Sequence, residues 1–358
     1  MFKNLVFTTF LFIVFVGYSQ KEPIKFGKVD VADLEMKQYA LDTSAVAVVL
    51  CDYGYFNSTT FHFTEILRIK ILKKEGLSWS SQKFMGTEDL EVRGKTYNLE
   101  NGKVVSTPLK GESLFRKRDG AGQITISFAM PNVTVGSIID IEFSMGGLPY
   151  KWYFQRAIPV RWSELRLESS PYIGIQKNYY GFLNLTVNEE DRWAIKDAPA
   201  FKTEPYTNSI SNYISKFEIS LLFINGATYK SFATSWESIS ILLEKDNCFG
   251  MPLMGNMFLN PIAKEIKEKS TDKLTQIKLA HQAVKHIKWN NEADVITTQQ
   301  DLKIPYDKQV GNNADINLTL VALLKKLDII AYPVVMSTRE NGLLPFYPTI
   351  NKLNYTLC

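Results

Sequence analysis

The rhythm of hydrophobic and polar positions changes along this chain, from short alternating runs to helical spacing. Residues 45–50 read AVAVVL, an unbroken apolar run. Phe61, Phe63, Ile66, Ile69 and Ile71 follow with partial alternation, and Ile124, Ile126 and Phe128 alternate strictly before Pro131. Alternation with period two puts one face of a strand in a core and the other outside. Residues 136–143, 152–160, 165–168 and 212–224 carry further strand signals. Asn101-Gly102 separates YNLE from KVV, and both residues tolerate positive φ, so a hairpin is predicted there. Short strands every 8–12 residues or so, with turn residues between them, predict an antiparallel β-sandwich.

Helical spacing takes over afterwards. Residues 234–244 read TSWESISILLE, and Thr234 with Glu237 matches a capping box, in which each side chain satisfies an orphan amide. Residues 261–270 open on Pro261, which suits a first helical position. Residues 271–289 place Leu274, Ile277, His281, Val284 and Ile287 near one stripe. In residues 311–342, GNNADINLTLVALLKKLDIIAYPVVMSTRENG, Gly311 ends a segment and Asn313 or Asp315 is expected to cap a helix. Leu318, Val321, Leu324 and Leu327 continue it, and residues 331–338 are expected to be a buried strand.

This last stretch resembles the core motif of transglutaminase-like domains, in which Gly-x-Cys-x-Asp opens a helix leading to a strand. The matching residues are Gly311, Asn313 and Asp315, so the resemblance implies that Asn313 occupies the cysteine position. Its histidine falls on Tyr355, and its acidic member beyond Cys358. An amide forms no thiolate and cannot attack a carbonyl as cysteine does. Upstream, AVAVVLCDYG, RIKILKKEGL, YNLENGKVVSTPL and WYFQRAIPVRWSELRLE look like the domain of unknown function 3857 over residues 38–224. That domain is found before transglutaminase-like domains in exported bacterial proteins, notably of the Bacteroidota. The resemblances imply an α+β chain: a β-sandwich over residues 20–230, then residues 231–358 as the helical half and first strands of a transglutaminase-like α/β domain of the papain-like type. They further imply that the sheet of this second domain is incomplete, leaving an edge around residues 334–336 for another polypeptide.

Residues 1–19 read as a signal peptide: Lys3, an apolar run over 5–16, then Gly17-Tyr18-Ser19. A periplasmic or secreted location is therefore expected. A formal net charge of +4 is too weak to suggest nucleic acid, and Arg116-Lys117-Arg118 reads as a solvated loop. Cys51, Cys248 and Cys358 are an odd number with no metal-ligand spacing, and their pairing is open. His281 and His286 are five apart and point about 140° apart on a helix, so no metal is expected between them. No cofactor is expected. Trp152, Tyr153 and Trp162 read as core aromatics before they read as a sugar platform.

The expectation is an exported, non-catalytic transglutaminase-like protein: a peptide- or glycan-binding or scaffold module at the cell envelope, with no catalytic residue. Asn313, Asp315 and Tyr355 are its degenerate-site or ligand-binding candidates. The alternative is a cysteine-dependent hydrolase or acyltransferase acting on peptide amides.

Overall fold

The computed structural model describes residues 21–358 except 119–123, 169, 203, 205, 208, 227–228 and 232–234. The expected signal peptide and the expected cap Thr234 lie outside the described residues. Helix α1 (Val31–Glu35) precedes β1 (Ala47–Asn57), β2 (His62–Ile71), β3 (Ser81–Gly86), β4 (Glu91–Glu100) and β5 (Lys103–Pro108). Next come β6 (Phe115–Arg118), β7 (Ile124–Ala129), β8 (Ile138–Gly146), β9 (Lys151–Tyr153) and β10 (Val160–Leu167). The strand-rich part closes with β11 (Ile173–Tyr180), β12 (Val187–Asn188), β13 (Arg192–Ala198), β14 (Lys216–Asn225) and β15 (Tyr229–Ser231).

An eight-stranded sheet runs in the order β12-β13-β10-β1-β2-β8-β4-β5. Strands β9, β11, β14 and β15 form a second sheet, and β3, β7 and β6 a third. All three contribute to one core. Phe56, Phe63 and Ile141 come from the large sheet, Ile126 and Phe128 from β7, and Trp152, Phe217 and Ile219 from β9 and β14. The β4–β5 hairpin forms as expected, with Asn101 at φ 50° and Gly102 at φ 74°. Strand β6 carries the Arg116–Arg118 cluster as an exposed edge strand, not a loop.

The expectation of antiparallel pairing fails at one place: β1 and β10 run parallel, with Val49 opposite Val160 and Phe56 opposite Leu167. Parallel neighbours need a long crossover, and here residues 58–159 supply it, a relation that no local alternation encodes.

The helical part contains α2 (Trp236–Glu244), α3 (Asn260–Lys269), α4 (Lys273–Val284), β16 (Lys288–Trp289), α5 (Lys303–Lys308), β17 (Val310–Gly311), α6 (Asn313–Lys326), β18 (Val334–Met336) and β19 (Tyr355–Leu357). Its centre is α6: Leu318, Val321, Leu324 and Leu327 are all buried, as their spacing predicts. Four expectations are corrected. The α2 cap is Ser235, whose Oγ accepts from Ser238 N while Ser238 Oγ accepts from Ser235 N. Helix α4 stops at Val284, because Lys288 and Trp289 pair with Val310 and Gly311 instead of continuing the helix. Its buried side chains are Gln276, Ala280 and Val284, four apart, whereas Leu274 and Ile277 are exposed. The expected buried strand is short, and both Val334 and Met336 are exposed.

Side chains join the two parts. Glu218 of β14 accepts from Lys216 Nζ at 2.7 Å and from Lys352 Nζ at 2.5 Å, all three being buried. Lys151 donates to Asn341, Ser211 to the Asn341 carbonyl, and the Tyr180 and Tyr347 hydroxyls meet.

Candidate functional site

The N-terminus of α6 is built from side chains that fold back on their own helix. Asn312, not Asn313 or Asp315, is the N-cap: its Oδ1 accepts from Asp315 N at 2.8 Å, and Asp315 Oδ2 accepts from Asn312 N at 2.9 Å. Four orphan amides at a helix start demand such acceptors, and the reciprocal pair supplies two. Gly311 is required beside them, since a Cβ there would lie 2.7 Å from Asp315 Cβ.

Asp315 is fully buried. Besides its cap bond it accepts from Thr298 N at 3.0 Å and Thr298 Oγ1 at 2.7 Å. Burial pushes its carboxyl above the usual range, against these donors, which favour the charged form. The helix N-terminus is a favourable place for that charge, so Asp315 neutralises the positive end of the helix from within.

Asn313, the first residue of α6, is 2% exposed. Its Oδ1 accepts from Asp294 N at 2.6 Å and its Nδ2 donates to the Thr356 carbonyl at 3.1 Å. Thr356 Oγ1 donates in turn to the Val295 carbonyl at 2.7 Å, and Asn312 Nδ2 to the Ile296 carbonyl at 2.8 Å. Residues 294–298 are thereby stitched to the start of α6 and to β19. Sequence reading named Asn313 and Asp315 but missed Asn312, Thr298 and Thr356. Asn312 was accessible from the NNAD run, as a short polar residue three before Asp315; the threonines carry no local signal.

Tyr355 is not brought to this cluster. Successive side chains on a strand point to opposite faces. Thr356 is fully buried on the Asn313 side, so Tyr355, its neighbour, faces the other way and sits opposite Met336.

Three cysteines stand free among the described residues. Cys248 lies near the cluster, since its carbonyl accepts from Thr297 N and Oγ1. Burial pushes its thiol up, and the charges of Asp246, Asp315 and Asp294 push the same way. Burial also raises Cys51 and Cys358. Reactive thiolates need the opposite surroundings. His286 has its ring nitrogens on the Ala283 and Tyr306 carbonyls, and His281 lies on another face, beside Ile277 and Ile330.

Two apolar clefts flank β18. One, of about 590 Å³, is walled by Trp236, Leu243, Phe249, Leu253, Tyr332 and Val335. The other, of about 740 Å³, is walled by Ile277, Leu320, Ile330, Tyr332 and Val334. Neither is lined by Asn313, Asp315 or Tyr355.

Residues 57–202 match a known family. Its description is "Domain of Unknown Function with solved-structure structure (DUF3857)". The DUF3857 match covers most of the strand-rich part and none of α6. A similar solved structure is a "putative protease" from Parabacteroides distasonis, at TM-score 0.64 and 11% identity, covering 87% of this chain and 64% of that one. This chain therefore spans less than two thirds of that neighbour, and the likeness shows the fold alone: a mixed α/β chain rich in strands. Native yeast LTA4 hydrolase matches at TM-score 0.24 and 9% identity, over 62% of this chain and 35% of that one, and carries no argument. No curated protein matches the chain.

Proposed function

We propose that this chain is an exported, non-catalytic transglutaminase-like protein, in which a β-sandwich carrying the DUF3857 region supports a transglutaminase-like part that binds peptide or glycan, or serves as a scaffold, at the cell envelope. The observation that carries this reading is the placement of Asn313. A carboxamide with both its acceptor and its donor engaged, buried at the head of α6, acts as a structural bridge. Acyl transfer needs a nucleophile, a base in hydrogen-bond reach and an oxyanion site. At this position there is no ionisable thiol, the strand presents Thr356, and the amides of Asn312 and Asp315 are taken by each other's side chains.

Cys248, the thiol beside the α6 cluster, is a poor nucleophile for a cysteine hydrolase, because burial and then its acidic neighbours Asp246, Asp315 and Asp294 disfavour the thiolate. The apolar clefts beside β18 support the binding reading, since ligand sites are concave, largely apolar and of this size.

The test is incubation with a thiol-directed peptide substrate analogue, followed by intact mass measurement. The expected result is no stoichiometric adduct at any cysteine in the folded protein. A single adduct at Cys248 that disappears in a His281→Ala or His286→Ala variant would overturn the reading in favour of the hydrolase.

A further inference from the structure

Inside the strand-rich part, far from α6 in sequence, two buried carboxyl groups share one guanidinium. Asp52 of β1 and Glu65 of β2 are diagonal neighbours on one face: Asp52 lies opposite Leu67, and Glu65 opposite Gly54, which has no side chain to separate them. Arg156 reaches in from residues 154–159, the crossover from β9 in the four-stranded sheet to β10 in the eight-stranded one. It grips Asp52 Oδ2 twice, from Nε at 2.8 Å and Nη2 at 2.6 Å, and Glu65 Oε1 once, at 3.2 Å. The other Asp52 oxygen, Oδ1, is buried with no donor on it. Trp152 Nε1 goes to Ser163, the residue opposite Asp52, so neither supplies one.

One guanidinium neutralises one carboxylate. A second ionised carboxyl in the same buried space would stand uncompensated, which is costly. An unsatisfied acceptor within hydrogen-bond reach of a neighbouring carboxyl resolves both problems if that carboxyl carries a proton.

We propose that Asp52, Glu65 and Arg156 form a proton-dependent clasp, in which Glu65 stays protonated at neutral pH, donates to Asp52 Oδ1, and leaves the Asp52 charge to Arg156. The clasp pins the crossover to the inner face of the large sheet. Losing the proton puts two negative charges on one guanidinium and loosens the connection between the sheets.

The surroundings agree. Burial, and then the Asp52 charge, hold the Glu65 carboxyl well above its usual range, with Arg156 opposing and the hydrogen bond to Asp52 adding to the rise. The other titratable group facing Arg156 is Tyr153 of β9, itself pushed up by burial and by Glu218 of β14. The β8 neighbour of Glu65 is the apolar Phe143. A carboxyl raised in the folded state stabilises relative to its ionised form below its unfolded pKa, and that stability is lost as pH rises through the folded value.

The test compares urea unfolding of the wild type, Glu65→Gln and Asp52→Asn from about pH 5 to about pH 9. Gln mimics the protonated Glu but has no proton to lose in the unfolded chain, so the stability of Glu65→Gln relative to wild type is expected to rise with pH from about pH 5, by up to about tenfold in the folded-to-unfolded ratio per pH unit, until Glu65 ionises in the folded state. Asp52→Asn leaves Arg156 without its main partner and is expected to lower that ratio roughly tenfold or more at every pH. If Glu65→Gln costs as much as Asp52→Asn at neutral pH, Glu65 is an ionised partner of Arg156 and the proposal is wrong. Equal pH slopes for Glu65→Gln and wild type would also overturn it. Should Asp52→Asn not fold, infrared difference spectra of wild type against Glu65→Gln decide. A protonated-carboxyl band present at neutral pH only in the wild type supports the clasp, and its absence refutes it.

Discussion

Asn313 Nδ2 donates to the Thr356 carbonyl at 3.1 Å, tying the first turn of α6 to β19 across 43 residues of chain. The same carboxamide accepts from Asp294 N. One planar group therefore holds a loop, a helix and a strand together.

Replacing it by the residue that the transglutaminase motif carries tests its role. Asn313→Cys removes the acceptor for Asp294 N and the donor to Thr356, and thiols are weak at both tasks. The expected cost is about 1–3 kcal/mol for each buried group left unpaired, read as a lower urea midpoint. No amidase or acyltransferase turnover should appear, because Thr356, not a base, faces the position. Turnover from this single variant would contradict the proposed function.

Asp315→Ala removes one half of the cap and both bonds to Thr298. A loss of roughly 2–4 kcal/mol is expected from the cap and the unpaired donors together. Amide exchange should accelerate over residues 294–298 and the first turn of α6, while β1 and β2 stay protected. Uniform acceleration along the chain would show that the cap is not local.

The junction between the two parts rests on Glu218. Glu218→Gln leaves Lys216 and Lys352 sharing no carboxylate in a buried setting, at an expected cost of roughly 3–5 kcal/mol. Limited proteolysis should then cut residues 337–353 before any strand of the large sheet. Unchanged resistance would mean that the Ser209 and Ser211 hydroxyls, donating to the Glu340 and Asn341 carbonyls, suffice.

Stability should rise between about pH 8 and about pH 10. Burial pushes Lys70 and Lys216 down to about 8, with Lys352 and Lys151 adding to the effect on Lys216. A depressed amine binds fewer protons folded than unfolded in that window, so raising the pH favours the folded state. The gain fades above about pH 10, where tyrosines ionise first in the unfolded chain, since burial pushes Tyr39 and Tyr53 up to about 12. Lys70→Met should flatten the rise, and Glu65 opposes it from the acid side. Thermal melts in buffers of matched ionic strength check this.

Much of the local architecture could be read from spacing. Helix α6 follows from Leu318, Val321, Leu324 and Leu327, and the β4–β5 hairpin from Asn101-Gly102, because both depend on residues within a turn of one another. The cap was expected at Asn313 or Asp315 and lies at Asn312: all three are good acceptors, and only backbone geometry chooses among them. The face of α4 was misread because Gln276 and Ala280 bury while Leu274 does not, a choice made by the neighbouring helices rather than by hydrophobicity.

The amino-acid sequence by itself determined helix α6, the β4–β5 hairpin and the change from strand-rich to helical spacing, and that a carboxamide, not a thiol, heads α6. Only the tertiary structure decided that Thr356 rather than Tyr355 faces it, that β1 and β10 run parallel, and that Asp52, Glu65 and Arg156 share one buried space. Periodicity and capping act through neighbours a few residues apart. Strand facing, pairing direction and the company of a buried charge are settled by partners brought from distant parts of the chain.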